Sequence, residues 1–317
     1  METKRHAGSV MSSLSYCAID FETANEHRGS PCAVGLTRVE GGQVTESVVY
    51  LMRPPEEVDY FEDFNVALHG ITPSMVKKQP RFAERLPEIL EFAKGHPLVA
   101  HNAAFDLGVI ADAARLSGGD VPSLDFACTL VLARKTYNLL SYRLPFVAEA
   151  AGVKIENHHD PADDAHAAAE ILLAIAEHHG AGDFEALCDA TKCKMGRLTD
   201  SSRQGFVSAG AQKLQLPGAN PDADPSHPLY GSEIAFTGAL LTMSRQQAFD
   251  LVAQIGAQPE TTVTKKTDFL VLGQQDPTRL KPGAELSSKA KKAEELRAKG
   301  QRIELLGEDD FLRMISL

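Results

Sequence analysis

Apolar and polar positions along the first half of the chain change spacing from segment to segment. Tyr16–Phe21 is a short apolar run ending in acid, and Val44–Met52 alternates, so both read as strands. Within 80–95, Phe82, Leu86, Ile89 and Leu90 fall at helical spacing, and Pro97–Ala100 is another short apolar run. Phe105–Ser117 reads as a helix stopped by Gly118 and Gly119, and Leu144–Ala151 and Ala162–His178 read as further helices. Strands first and helices later predict a layered α/β domain over 15–180. Residues 1–14 read as a disordered leader. Lys4 and Arg5 stand there with no apolar stretch behind them, so no secretory signal is expected.

Beyond 180 the pattern weakens. Residues 181–203 read as a helical annex, and 204–228, rich in Gly, Ala, Gln, Pro and Asp, as a flexible linker. Periodicity returns at 229–317. Ile234–Thr237 is a strand, and Ser244–Ile255 a helix with Ser244 as N-cap and Gly256 just past its end. Thr261–Thr264 and Phe269–Leu272 are strands, Ser287–Lys299 is a basic amphipathic helix closed by Gly300, Arg302–Leu306 is a strand and Glu308–Ile315 a last helix. The order βαββαβα predicts a second, smaller three-layer α/β module.

Composition narrows the function. The chain has 317 residues with 43% hydrophobic and 24% charged, enough for two packed domains and unlike a disordered chain. No apolar run approaches membrane-spanning length, so no membrane partner is expected. Five scattered cysteines fit reduced thiols in a cytoplasm. The net charge of -11 is uneven: residues 1–180 hold 15 Lys+Arg against 25 Asp+Glu, whereas 229–317 hold 12 of each. A protein that grips nucleic acid by charge alone is basic. Any polyanion handled here must meet locally neutralised carboxylates, for which a bound metal is the obvious agent.

Three acidic segments give that idea residues. Asp20 and Glu22, two apart at a strand end, point to one face. Asp106 follows a short apolar strand near the start of a helix, within Ala100-His101-Asn102-Ala103-Ala104-Phe105-Asp106. Asp164 opens an alanine-rich helix, with His159 five residues ahead in the preceding loop. Each alone has an ordinary explanation as a solvated acid or a helix-start acid. Together, in this order, they resemble the histidine branch of the DEDD exonuclease superfamily. Asp20-Phe21-Glu22-Thr23, His69-Gly70-Ile71-Thr72, Val99–Ala103 with Phe105-Asp106, and Asp163-Asp164-Ala165 up to Ala169–Leu172 are similar to the 3′–5′ exonuclease domain of the bacterial DNA polymerase III epsilon subunit. The similarity covers about residues 15–178.

That resemblance implies a ribonuclease H-like fold and hydrolysis from nucleic-acid 3′ ends with two Mg²⁺ or Mn²⁺ ions. Asp20, Glu22, Asp106 and Asp164 become the expected ligands, since these cations prefer carboxylate oxygen. His159 becomes the expected general base. His158 is a rival whose matching acid would be Asp163. Thr23, His69, His101 and Asn102 become candidates to hold the terminal nucleotide, although His69 and His101 also read as hydrogen-bonded structural histidines.

The second module resembles a BRCT domain through Ile234–Gly238, Arg245, Val263–Gly273 and Ser288–Ala293. Two features depart from that family: Gly256-Ala257 replaces paired glycines, and the last helix has no Trp, leaving Phe311 to fill its space. The resemblance implies a phosphate site at Thr237, Gly238 and Lys289, which otherwise read as a turn and a solvated helix face. Lys289, Lys291, Lys292, Arg297 and Lys299 are either a solvated face or a basic surface. The function expected is a metal-dependent 3′–5′ exonuclease, acting on DNA ends more than RNA in proofreading, repair or replication. Its module would tether it to an end, a repair protein or a polymerase. The alternatives are an RNA or short-oligonucleotide exonuclease and a non-catalytic scaffold. A zinc site at Cys188 and Cys193 with His178 and His179 is disfavoured by loose spacing.

Overall fold

The computed structural model describes residues 13–139, 141–200, 203–208, 214–273 and 287–315. Most of the leader, residues 1–12, lies outside them. The chain divides into two compact units, one of residues up to 139 with 144–208, the other of 141–143 with 214 onward.

The first unit runs β1 (Tyr16–Thr23), β2 (Pro31–Glu40), β3 (Gln43–Leu51), α1 (Asp63–His69), α2 (Pro73–Val76), α3 (Phe82–Ala93), β4 (Leu98–Ala100), α4 (Ala103–Leu116), β5 (Leu124–Cys128) and α5 (Thr129–Thr136). It continues with α6 (Leu144–Ala151), α7 (Pro161–His178), α8 (Phe184–Thr191), β6 (Cys193–Lys194), β7 (Gly196–Leu198), β8 (Arg203–Gln204) and β9 (Val207–Ser208). Seven strands form one mixed sheet in the order β3-β2-β1-β4-β5-β7-β8. β1 pairs antiparallel with β2 and parallel with β4, so the strand bearing Asp20 and Glu22 lies inside the sheet.

Side chains alternate faces along a strand, and one bond identifies the face that matters. Tyr16 Oη donates to the Ala169 carbonyl of α7 at 2.7 Å. Asp20 and Glu22 share the parity of Tyr16 and therefore face α7. At Glu22/Thr23 the β1–β2 register shifts, which bends the strand where its last side chains must be aimed.

The expected domain end at 180 falls short. After helix α8, β7 pairs antiparallel with β5 and extends the main sheet. Gly196 makes this possible, since a Cβ there would stand 2.6 Å from Phe126 Cε1. Three further segments that the apolar pattern does not mark as strands, β2, β5 and β8, are also in the sheet. β2 is buried along nine of its ten residues, so it shows no alternation to read.

The second unit runs β10 (Glu233–Thr237), α9 (Arg245–Gln254), β11 (Gln258–Glu260), β12 (Phe269–Leu272), α10 (Ser288–Ala298), β13 (Glu304–Gly307) and α11 (Glu308–Ile315). Its four strands are parallel, in the order β11-β10-β12-β13. Phe236 meets Phe311 edge-to-face at 5.2 Å in the core, with Phe311 fully buried. Ser244 caps α9 with a reciprocal Gln247 capping box. The strand expected at Thr261–Thr264 is instead Gln258–Glu260. Its Pro259 is tolerated because β11 is an edge strand. The segment expected to be a flexible linker is tied along α9 from Gln215 onward. The Gln215 N–H donates to Gln246 Oε1 at 2.9 Å and its carbonyl accepts from Gln246 Nε2 at 3.0 Å, and the Asn220 N–H donates to the Ala253 carbonyl at 2.8 Å.

Candidate active site

Three helices or strands deliver the acids. Asp106, in the first turn of α4, accepts the Phe21 N–H through Oδ1 at 3.0 Å, which locks it to β1 between Asp20 and Glu22. α7 begins one residue earlier than expected. Its N-cap is Asp160, which accepts from the Ala162 and Asp163 N–H groups at 2.9 and 3.3 Å, with Pro161 at the first helical position. Asp164 therefore sits inside the first turn and not at the opening of the helix. Glu22, Asp106 and Asp164 are buried, and Asp20 keeps partial solvent access.

The acids feel one another. Burial raises the Asp20 carboxyl well above its usual range, and Asp106, Glu22, Asp164 and Asp160 raise it further. Burial, then Asp164, Asp106 and Asp160, push Glu22 up to about 8. Burial raises Asp106 to about 7, against the N–H bonds from Phe21 and its own backbone. Carboxylates gathered in this way are costly when ionised without a compensating cation. Their hard oxygen donors suit Mg²⁺ or Mn²⁺, so the residues fit the divalent ions expected of them.

Closest packed are His158, His159 and Asp164, whose candidate ligand atoms lie within 4.8 Å of one another. Among the described residues no three of the four acids gather their oxygens so tightly. Asp164 takes bonds from His158 Nδ1 at 3.0 Å and from the His159 backbone N–H at 3.1 Å. The two imidazoles stack at 3.8 Å. Burial lowers the His159 pKa, His158 and His69 lower it further, and Asp164 opposes them. Asp163, the acid paired with His158 in the sequence reading, instead bonds Asn157.

The substrate candidates divide. His69 donates from Nε2 to the Thr23 carbonyl at 3.1 Å and accepts the Ile71 N–H on Nδ1 at 3.0 Å. Both ring nitrogens are thus spent on backbone, which holds α1 across the end of β1. Asn65, which no motif singles out, joins it by donating to the Thr23 carbonyl at 2.9 Å. His101 Nδ1 meets Thr129 Oγ1 at 2.9 Å. Asn102 takes the left-handed conformation, φ 72°, that turns the chain into α4. Neither Cys188 nor Cys193 belongs to a metal-competent group among the described residues, and His179 Nε2 pairs with Thr136.

Gly35 also shapes the site. It pairs with Asp20 across β1–β2, and a Cβ there would overlap the Pro161 carbonyl and stand 2.8 Å from the Ala162 nitrogen. The absent side chain lets the first turn of α7 rest on the sheet and brings Asp164 over Asp20. Gly35→Ala must push that turn away by roughly 1 Å, enough to cost about 10²-fold in kcat. Gly119→Ala, whose Cβ would meet only Ala114 O at 3.6 Å, should leave turnover unchanged. Steady-state rates and the Mg²⁺ concentration giving half-maximal activity check both, and a wild-type rate for Gly35→Ala would count against this role.

In the second unit, the phosphate candidates meet. Lys289 Nζ donates to the Phe236 carbonyl at 2.8 Å, and Thr237 Oγ1 lies 2.7 Å from Ser287 Oγ. Arg245 reaches the Gly238 carbonyl from the start of α9. Burial and then Arg245 lower the Lys289 pKa. The solvent side of α10 is mixed and not uniformly basic, because Glu294 and Glu295 stand among Lys291, Lys292, Arg297 and Lys299.

The sequence profile of the exonuclease family matches residues 17–172. Over 180 residues the chain is 32% identical to the DNA polymerase III subunit epsilon of Aquifex aeolicus, covering 54% of this chain and 87% of that protein. Over 147 residues it is 37% identical to a PolC-type DNA polymerase III of Caldanaerobacter subterraneus, covering 45% of this chain and 10% of that protein. The chain thus spans about a tenth of the length of such PolC-type relatives. It is also similar to a solved structure of exonuclease X in complex with 5′ overhanging duplex DNA, at 23% identity and a TM-score of 0.44, covering 55% of this chain and 98% of that one.

Proposed function

The chain belongs to the exonuclease family, and from that premise we propose that it hydrolyses phosphodiester bonds at the 3′ ends of DNA strands. The observation that carries this reading is the arrangement of Asp20 and Glu22 on the face of β1 turned to α7, Asp106 bonded to the Phe21 N–H between them, and Asp164 in the first turn of α7 beside the His158–His159 loop.

Asp20, Glu22, Asp106 and Asp164 would hold two Mg²⁺ or Mn²⁺ ions, which supply charge compensation for the attacking and leaving oxygens of an in-line displacement. His159 takes the proton from the attacking water. Asp164 orients that loop by accepting the His159 backbone N–H. Thr23, His101 and Asn102, at the ends of β1 and β4, hold the terminal nucleotide. His69 and Asn65 act one step back, fixing Thr23. A ribonuclease H-like assignment of the seven-stranded unit and a reducing, cytoplasmic setting for its five unpaired thiols belong to the same reading.

The second unit is read as a BRCT module whose Thr237, Gly238 and Lys289 receive a phosphate from a DNA end or a protein partner. Its βαββαβα order and the convergence of those three residues support this. Tethering would raise the local concentration of ends around an acidic nuclease unit.

Each part has its own test. With 5′-labelled single strands, shortening from the 3′ end is expected with Mg²⁺ or Mn²⁺ and not with chelator, faster on DNA than on RNA. Faster RNA decay would favour the RNA-exonuclease alternative, and no decay with either metal would leave a scaffold. Lys289→Glu should weaken capture of a 5′-phosphorylated end. Capture equal to wild type would remove the phosphate assignment.

A further inference from the structure

Resting on that nuclease reading, we infer that the outer face of α1 is a stacking platform for unpaired bases of the substrate strand, built around Phe64. Phe64 is 74% exposed, the most exposed large apolar side chain among the described residues. Leu68, one turn on, is 42% exposed, Met75 47% and Tyr60 41%. Phe64 and Leu68, one turn apart, share one stripe of α1, a helix with no buried residue, and Tyr60 and Met75 are exposed in the segments on either side of it.

Its location gives the surface an occupant. Positions 64 and 68 form the stripe of α1 next to Asn65 and His69, and those two residues clasp the Thr23 carbonyl at the catalytic end of β1. Thr23 directly follows Glu22, one of the four acids. The platform therefore borders the nuclease centre. Charge then selects which part of a strand touches it. Glu62, Asp63 and Glu26 are exposed around the patch, with Glu26 bonded by Tyr60 Oη at 2.8 Å. Phosphates are repelled there. Bases, each with a neutral π-face, are not, and stacking on aromatics holds single strands without sequence preference. An acidic unit with 15 Lys+Arg against 25 Asp+Glu through residue 180 needs such a charge-independent grip.

The test compares KM and kcat on an intact DNA strand and on one with abasic sites at the nucleotides upstream of the 3′ end. Phe64→Ala should raise KM for the intact strand roughly 5- to 100-fold, the range for loss of one or two stacked bases, with kcat retained because uniform binding has been removed. Wild type should lose similarly on the abasic strand, and the variant should lose nothing further there, since the two changes remove one interaction. Phe64→Trp should bind as well as wild type, whereas Phe64→Leu should not. Wild-type KM for Phe64→Ala or Phe64→Leu, or equal KM for intact and abasic strands, overturns the platform and leaves the nuclease reading standing. A dimer of the wild type that Phe64→Ala dissociates in sedimentation assigns the face to a second copy and overturns it too. If wild type degrades no strand with Mg²⁺ or Mn²⁺, the nuclease reading falls and the platform with it.

Discussion

Asparagine in place of Asp20 is expected to slow 3′-end hydrolysis by about 10³-fold or more and, at the same time, to stabilise the protein without metal. The first effect follows from losing a cation ligand, which forfeits several kcal/mol of charge stabilisation in the transition state. The second follows from the same acids. Burial and neighbouring carboxylates raise Asp20, and hold Glu22 at about 8 and Asp106 at about 7. Carboxylates raised in the folded state bind protons that the unfolded chain releases near pH 4. Their stabilisation is complete below that pH and is lost as pH climbs through the folded values. Metal-free wild type should therefore melt at progressively lower temperature from about pH 5 to about pH 8. Mg²⁺ should restore the loss at the upper end and do little at the lower, because it binds the ionised carboxylates. Asp20→Asn removes one charge from the cluster, so its metal-free Tm at pH 8 should exceed that of wild type and its Mg²⁺ response should shrink. A variant with little activity and a raised Tm cannot owe its inactivity to unfolding. Persistent turnover, or a metal-free Tm below wild type at pH 8, would contradict the ligand assignment.

What the sequence discloses and what it conceals follow from whether the cause is local. Asp20 and Glu22 are legible because the two-residue period of a strand puts them on one face wherever the strand lies. The ends of α9 are legible because Ser244 and Gly256 mark them chemically. Asp164 is legible as an acid at the start of a helix, yet the cap belongs to Asp160, since Pro161 fixes the first turn one step earlier than the alanine run implies. β2 is hidden because burial on both faces erases its alternation, and β7 because its three residues depend on Phe126 sitting over Gly196. Gly35 is hidden for a related reason. A glycine in an apolar run reads as a weak point in a strand, and only the Pro161 carbonyl above it explains its use. His69 shows the converse. Its motif is conspicuous, but its nitrogens face Thr23 and Ile71, and no spacing rule tells a ring bound to backbone from one bound to substrate.

The adjacent histidines give the sharpest remaining test of the chemistry. His159→Ala is expected to slow hydrolysis by ~10²–10⁴, the usual contribution of a general base. His158→Ala should cost less, about 10- to 100-fold, as expected for a residue that orients a ligand. The difference comes from what each imidazole is bonded to. His158 commits Nδ1 to the Asp164 carboxylate at 3.0 Å, whereas His159 reaches the same carboxylate only through its backbone N–H at 3.1 Å. Its ring, held in place by stacking on His158 at 3.8 Å, keeps its nitrogens for another proton. Burial, then His158, hold its pKa below the ordinary imidazole range, so it is neutral and able to accept a proton at neutral pH. With Mg²⁺ saturating, so that the carboxylates stay ionised, the rate should accordingly fall on the acid side at a pH below the ordinary histidine value. In His158→Ala that limb should move to higher pH, because one of the groups lowering the His159 pKa has gone. The backbone supplies a control for folding. His159 is left-handed, φ 72°, a conformation that Asn tolerates and Ala does not. His159→Asn should therefore lose the same activity as His159→Ala with less loss of Tm. Equal rate losses for His158→Ala and His159→Ala, with an unmoved acid limb, would transfer the base from His159 to the pair.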